Sequence, residues 1–191
     1  MACCGCTQKR SRTPAADGKV YFSYADIHRA ISSLAPAIQE FKPHVIIAIG
    51  GGGYVPERIL RTQLKVPILA VSLELYDDRT NTMNSTVKKV QWYTDEQSAE
   101  FVRGKRVLIV DEVDDSRTTL RYCVDTVLAG ADVPAEIGVA VVHNKLKEKK
   151  AELPESVKYF AGEEVADHWN CYPWDAADYG ACWEINCICV A

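Results

Sequence analysis

The 191-residue chain has no apolar run near the roughly 20 residues needed to cross a bilayer, which excludes a membrane-spanning helix. It has no excess of basic charge: 22 Lys and Arg against 26 Asp and Glu leave a formal net charge of −4. Binding duplex nucleic acid takes a basic face that displaces counterions, so that partner is excluded as well. Cysteine is scarce through most of the length. Cys3, Cys4 and Cys6 crowd the N-terminus and Cys182, Cys187 and Cys189 the C-terminus, leaving only Cys123 and Cys171 between them. A disulfide framework would be spread along a short secreted chain, and this pattern is not one. The opening MACCGCTQKRSR lacks the apolar core of a secretory signal. Ala2 excludes N-myristoylation, and the closing CICVA has no Cys four from its end, which argues against prenylation. These absences imply a cytoplasmic protein with reduced thiols. The N-terminal cysteines read as part of a disordered tail, with palmitoylation or adventitious metal binding as the alternatives. No internal repeat is visible.

What is present suits one domain with a small appendage: 48% hydrophobic and 25% charged residues can bury a core without disulfide staples. Residues 1–19 are polar, small and basic and read as a disordered leader. From Ser23 onward Ile27, Ala30, Ile31, Leu34, Ile38 and Phe41 recur at helical spacing, with Pro36 expected to kink or split that helix. His44–Ile49 (HVIIAI) reads as a buried strand that stops at four glycines, Gly50–Gly53. Tyr54–Leu64 resumes a helical pattern. Pro67–Leu73, Arg106–Val110 and Ile137–Val142 read as three more buried strands. Leu120, Cys123, Val124, Val127 and Leu128 mark one face of a helix. Residues 74–95 are polar and poorly periodic, the profile of a long mobile loop.

Continuous apolar strands alternating with helices imply an α/β fold with a mainly parallel sheet flanked by helices. The core is expected over 20–157. From 158 to 191 the chain turns irregular and aromatic, with Trp169, Tyr172, Trp174, Tyr179 and Trp183, and is expected to form a small C-terminal hood lobe. In such sheets ligands sit beyond the carboxyl ends of the strands. Two loops at those ends stand out.

In VLIVDEVDDSRTTL (Val107–Leu120) a buried strand delivers Asp111 and Glu112, and Asp114 and Asp115 follow at once. Ser116, Arg117, Thr118 and Thr119 then open a helix. Hydroxyls and free amides at a helix N-terminus form an anion site, to which Arg117 can add charge. Carboxylates repel phosphate, so they are useful here only if they hold another part of the same ligand, such as sugar hydroxyls or a metal. A phosphorylated sugar satisfies both demands. The glycine run Gly50–Gly53 lets backbone amides turn onto a polyphosphate, although by itself it reads equally as a tight turn.

The Val107–Leu120 stretch resembles the signature of the type I phosphoribosyltransferases, which bind phosphoribosyl pyrophosphate (PRPP). That pattern has apolar residues, two acids, two usually apolar residues, an Asp and a Thr/Ser/Gly-rich phosphate loop. Asp114 departs from it, as do Arg117 and Thr118, which stand where Gly and Gly or Lys are commoner. IIAIGGGGYVP is similar to the family's pyrophosphate loop. Purine-specific members usually carry Lys or Arg where Gly51 stands, after a cis peptide, so the resemblance implies a cis bond at Gly50–Gly51. DHWNCYPWD (Asp167–Asp175) is similar to the lid of the 6-oxopurine enzymes, bacterial xanthine–guanine and fungal hypoxanthine–guanine, and the fungal enzymes look closest through IIAIGGGG, RILRT, QW and VDEVDDSRTTL.

The resemblance spans about Tyr21–Asp175 and implies a Mg2+-dependent purine-salvage enzyme that joins PRPP to a 6-oxopurine, relatives being homo-oligomers. It assigns PRPP binding to Gly50, Gly51, Gly52, Asp111, Glu112, Asp115, Ser116, Arg117, Thr118 and Thr119. Asp115 is the implied catalytic residue, facing the purine N7. Lys145 would donate to the 6-oxo group, Trp169 would stack on the ring, and the Asn170 backbone would read the 2-position edge. Asp111 and Glu112 would hold Mg2+ and Asp175 a second Mg2+. Tyr76–Asp95 would be a loop that closes during catalysis. No Arg follows Asp175, where the family often has one. Two other readings stand beside this: a non-catalytic PRPP or nucleotide sensor of the same fold, and a phosphoribosyltransferase for another base.

Overall fold

The computed structural model describes residues 13–77 and 82–176, with side chains throughout except at 75–77 and 82–86. In chain order the elements are β1 (Lys19–Tyr21), α1 (Tyr24–Phe41), β2 (Val45–Gly50), α2 (Tyr54–Leu64), β3 (Ile68–Asp77), β4 (Thr82–Gln91), α3 (Asp95–Phe101), β5 (Arg106–Asp114), α4 (Thr118–Leu128), β6 (Glu136–Lys145), β7 (Lys158–Val165) and β8 (Trp169–Cys171). They fall into two compact units, Ala25–Asp167 and a smaller one made of the described parts of 1–24 and 168–191. The N-terminal cysteines and the tail beyond Ala176 lie outside the described residues.

The larger unit is built on a six-stranded sheet in the order β4-β3-β2-β5-β6-β7. All neighbours run parallel except β4, which pairs antiparallel with β3 at one edge. The central strands are buried on both faces, which is why they read as unbroken apolar runs. Val45, Ile47 and Ile49 on β2, Val107 and Ile109 on β5, and Val139 and Val141 on β6 share one face with Leu120, Cys123, Val124 and Val127 of α4. The opposite face carries Leu108 and Gly138. A Cβ on Gly138 would press on Phe41 of α1, on Phe160 and on Leu108, so the missing side chain there is what lets α1 settle onto the sheet.

Several expectations change on contact with the fold. Helix α1 runs unbroken through Pro36. Pro36 is exposed, as is Ser32, whose carbonyl loses its partner, so water can serve that group while the buried face from Ile27 to Phe41 continues past it. Most of the segment read as a mobile loop pairs as β3 and β4, with residues 78–81 outside the described part. Lys88 and Lys89 lie on β4, and lysines on an edge strand discourage pairing with another chain. Helix α3 follows, opened by a capping box between Thr94 and Gln97. Lys158–Val165, placed by sequence at the start of the hood, pairs with β6 as a strand of the main sheet.

The smaller unit pairs β1 with β8 in parallel, Val20 opposite Asn170. Its centre is an aromatic stack: Phe22 lies 5.5 Å from Tyr172, and Tyr172 5.0 Å from Trp174 with the rings 3° from parallel. The end of the expected leader is ordered here. The Gly18 N–H donates to the Ala15 carbonyl (2.9 Å), and the Asp17 carboxylate accepts from the Lys19 N–H and the Tyr21 hydroxyl.

Candidate active site

Strands β2 and β5 are neighbours, in register from Val45 opposite Val107 to Ala48 opposite Val110. From β2 the chain steps outward to β3, and from β5 it steps the other way to β6. The strand order therefore reverses between β2 and β5, the place where open parallel sheets bind ligands. Gly50–Gly53 leaves β2 there and Asp115–Arg117 leaves β5.

A cavity of about 320 Å³ lies at this point, lined by Gly50, Gly51, Gly52, Asp111, Glu112 and Thr119 together with Ser72, Leu73 and Glu74 of β3. A second of about 170 Å³ adjoins Asp111–Leu120. Glu112 and Thr119 thus share one cleft. Ser72 and Glu74 were missed from sequence, because Ser72 lay in a strand read only as buried core and Glu74 at the start of the segment read as a mobile loop. Glu74 pairs with Lys88 of β4 at 3.4 Å, so the hairpin helps to form the wall.

The glycine loop is shaped by close approach. The Gly50–Gly51 peptide is cis, in keeping with the resemblance. A side chain at Gly52 would overlap the Glu112 carboxylate, and a Cβ at Gly53 would come 2.5 Å from the Val110 carbonyl and 2.6 Å from that of Ile49. At Gly51 nothing lies within 4 Å.

On the other side β5 runs on to Asp114, so Asp111 and Glu112 sit on the strand itself. Asp111 is buried and accepts a hydrogen bond from the Glu112 N–H (2.9 Å). Burial first, and the neighbouring Glu112 second, push its carboxyl well above the ordinary carboxylate range. Ser116 Oγ and Thr118 Oγ1 lie 3.0 Å apart. The first helical bond of α4 runs from the Arg121 N–H to the Arg117 carbonyl, so the amides of Thr118, Thr119 and Leu120 have no acceptor within the helix. The Arg117 guanidinium does not stand clear in the cleft: it bonds Asp114 and lies over the Tyr159 ring, 5.1 Å from its centroid.

Asp115 and Lys145 are brought together, with a partner the sequence reading missed. Asp115 Oδ1 takes Lys147 Nζ at 3.0 Å and Lys145 Nζ at 3.2 Å, and both lysines also face Asp167, at 3.1 and 3.7 Å. Burial pushes the Asp115 carboxyl up, but the two lysines outweigh it and hold it below its ordinary value. Hydrogen bonds to Asp115 and Asp167 raise the Lys147 ammonium in turn. A signal for Lys147 existed in the run KLKEKK, where cations alternate along a turn leaving a strand end.

Trp169, Asn170 and Asp175 belong to the smaller unit. Trp169 is 63% exposed and stands outside the aromatic stack. Asn170 Nδ2 donates to the Tyr172 hydroxyl at 3.3 Å. Asp175 is exposed, and its N–H donates to the Tyr172 carbonyl at 3.0 Å.

A strand-end carboxylate pair, a hydroxyl-lined helix start and a glycine loop at the switch point of a parallel sheet define a phosphoribosyltransferase cleft. The family model of the phosphoribosyl transferase domain matches residues 22–177, and the chain belongs to that family. A hypoxanthine-guanine phosphoribosyltransferase of Saccharomyces cerevisiae is 40% identical over 196 residues, 85% of this chain and 88% of that protein. Xanthine phosphoribosyltransferase 1 of the same yeast is 40% identical over 190 residues, 84% of this chain and 91% of that protein. Among solved structures, a hypothetical protein from Neisseria gonorrhoeae with bound ppGpp aligns with a TM-score of 0.76 and 44% identity, over 87% of this chain and 94% of that one. Among the described residues no helix is long and apolar enough to span a membrane.

Proposed function

We propose that this enzyme transfers the phosphoribosyl group of PRPP to N9 of a 6-oxopurine, releasing pyrophosphate and a nucleoside 5-monophosphate. The observation that carries this is the pair of adjoining cavities that share Asp111, Glu112 and Thr119, one lined also by Gly50–Gly52 and the other by the Asp115–Thr118 turn, with Lys145 meeting Asp115 at 3.2 Å. The two yeast relatives, named for hypoxanthine, guanine and xanthine, support a 6-oxopurine as the acceptor.

The donor set suits Mg2+. Asp111 and Glu112 offer adjacent hard oxygens whose mutual repulsion a cation would relieve. No cluster of three metal-ligating side chains occurs among the described residues, which agrees with an ion that binds one or two carboxylates and completes its shell with substrate phosphates and water. When bound, Mg2+ would supply charge stabilisation to the departing pyrophosphate. Asp175 is assigned a second ion by resemblance alone.

In this mechanism Asp111 and Glu112 grip the ribose hydroxyls, and Ser116, Thr118, Thr119 and the amides of the Asp115–Thr119 turn seat the 5-phosphate. Gly50, Gly51 and Gly52 direct backbone amides at the pyrophosphate. Lys145 is assigned the 6-oxo group, and Trp169 and Asn170, which belong to the smaller unit, are assigned the purine ring and its 2-position edge by resemblance alone. Asp115, kept ionised by its lysines, accepts the N7 proton as N9 bonds to C1 and the C1–oxygen bond breaks toward pyrophosphate. The contacts from Lys145 and Lys147 fall on Oδ1, so Oδ2 is the oxygen assigned to N7.

Incubation with PRPP, Mg2+ and each of hypoxanthine, guanine, xanthine, adenine and uracil tests this, with nucleotide expected from 6-oxopurines only. Nucleotide from adenine or uracil alone, or from no base, overturns it. The gonococcal neighbour was solved with bound ppGpp, and we infer as a second reading that this chain binds ppGpp, in the same cleft. Inhibition by ppGpp that is competitive with PRPP is the expected sign of it, and tight ppGpp binding without any turnover would mark a sensor instead.

A further inference from the structure

We propose that Asp114 is a positioning residue, which with Arg117, Tyr159 and Lys149 forms a buried charged latch that holds the 5-phosphate loop in shape before PRPP arrives. This rests on the reading of the cleft given above.

Asp114 is fully buried. Its Oδ2 accepts from Arg117 Nε and Nη2, each at 2.9 Å, and from the Tyr159 hydroxyl at 2.8 Å. Lys149 Nζ lies 3.5 Å from Oδ1. The same ammonium donates to the backbone carbonyls of Asp114 (2.7 Å), Asp115 (3.1 Å) and Lys145 (2.9 Å). One residue on, the Lys150 N–H donates to the Ser116 carbonyl at 3.0 Å. The loop is thus tied through its side chains and its backbone at four successive residues, 114 to 117.

Two features give these ties a purpose beyond packing. Arg117 adopts φ 66, a left-handed conformation usually left to glycine, in the last residue before α4. The Arg117–Asp114 pair, backed by the Tyr159 ring, fixes that residue and so aims the free amides that follow it. The carboxylate, moreover, is worth burying only while its cations stay, since a buried charge that loses its partner is costly. Any excursion of the loop uncouples Asp114 from Arg117, so the loop is held in a single arrangement. Asp114 and Arg117, two residues at which this chain departs from the signature it resembles, are each other's partners in the structure.

A latch on the 5-phosphate loop predicts a split between the two ends of PRPP. In Asp114→Asn, the KM for PRPP and the inhibition constant of ribose 5-phosphate should each rise about tenfold or more, the loss expected for a charged hydrogen-bonded contact. The inhibition constant of inorganic pyrophosphate and the KM for the purine should stay within about twofold, below the effect of one neutral hydrogen bond. Tyr159→Phe removes one bond and keeps the charges. It should shift ribose 5-phosphate in the same direction by about threefold, and it decides the matter if Asp114→Asn does not fold. Equal weakening of ribose 5-phosphate and pyrophosphate, or no change in a folded variant, overturns the latch. If the wild-type chain shows no transfer, the proposed function falls. Calorimetric titration of ribose 5-phosphate into wild type and Tyr159→Phe then reads the latch by itself, and equal affinities overturn it.

Discussion

The loop after β2 and the loop after β5 face one cleft and keep their shapes by opposite means. Gly50–Gly53 has no side chains at all: its course is set by how near the backbone comes to Glu112, Val110 and Ile49. Asp114–Thr118 is crowded with charge and hydroxyls, and is set by Arg117 on Asp114 and Lys149 on three carbonyls. Where two stretches of backbone must come close, subtraction serves; where a turn must stay put, buried ion pairs serve. The first loop should therefore be sensitive to volume and the second to charge.

The largest expected effect is on the charged side. Asp115→Asn keeps the size and loses the proton acceptor, so kcat should drop by about 10²–10⁴-fold while PRPP affinity, measured by titration, holds. Near-normal turnover would remove Asp115 from its role. On the glycine side, Gly53→Ala drives a Cβ into two backbone carbonyls that have nowhere to go. It should cost about 2 kcal/mol in urea unfolding, and an unchanged midpoint would show that the loop is not packed as described.

Lys147→Met sharpens the contrast more gently. The lysines hold the Asp115 carboxyl below its ordinary value, against the upward push of burial. Removing one cation lets that carboxyl rise, so on acidification it takes up its proton sooner. The acid limb of kcat/KM should move to higher pH, and a limb that stays in place or moves down would deny Lys147 its influence. The smallest effect belongs to Gly51, where a side chain meets nothing within 4 Å. Gly51→Lys should leave stability within about 0.5 kcal/mol. It should also strengthen product inhibition by pyrophosphate, most visibly at low salt.

The central strands were legible because burial on both faces leaves a continuous apolar signature, and α4 because its one buried face recurs at helical spacing. The site acids and hydroxyls were legible for a related reason: carboxylates at the end of a buried strand call for a ligand to justify them. Other parts were hidden. Strand β4, TMNSTVKKVQ, is an edge strand whose polar composition mimics a loop, and its Lys88, Lys89 and Gln91 are exposed. Helix α3 offered a capping signature in Thr94 and Gln97 but only seven residues, too few for a periodic pattern. Pro36 does not split α1, because its exposed position leaves the Ser32 carbonyl open to water while the buried face continues past it.

By itself, the order of residues determined which central segments are buried and which strand ends carry acids or glycines. Those properties follow from local composition and from the low tolerance of apolar strands for charge. Only the tertiary structure decided that Lys147 and Asp167, twenty residues apart, meet on either side of one charge cluster. It alone decided that Tyr159, 45 residues beyond Asp114, donates to its carboxylate. A buried charge is neutralised by whatever the sheet order brings beside it, and the side-by-side placement of β5, β6 and β7 is a property of the folded sheet rather than of any segment within it.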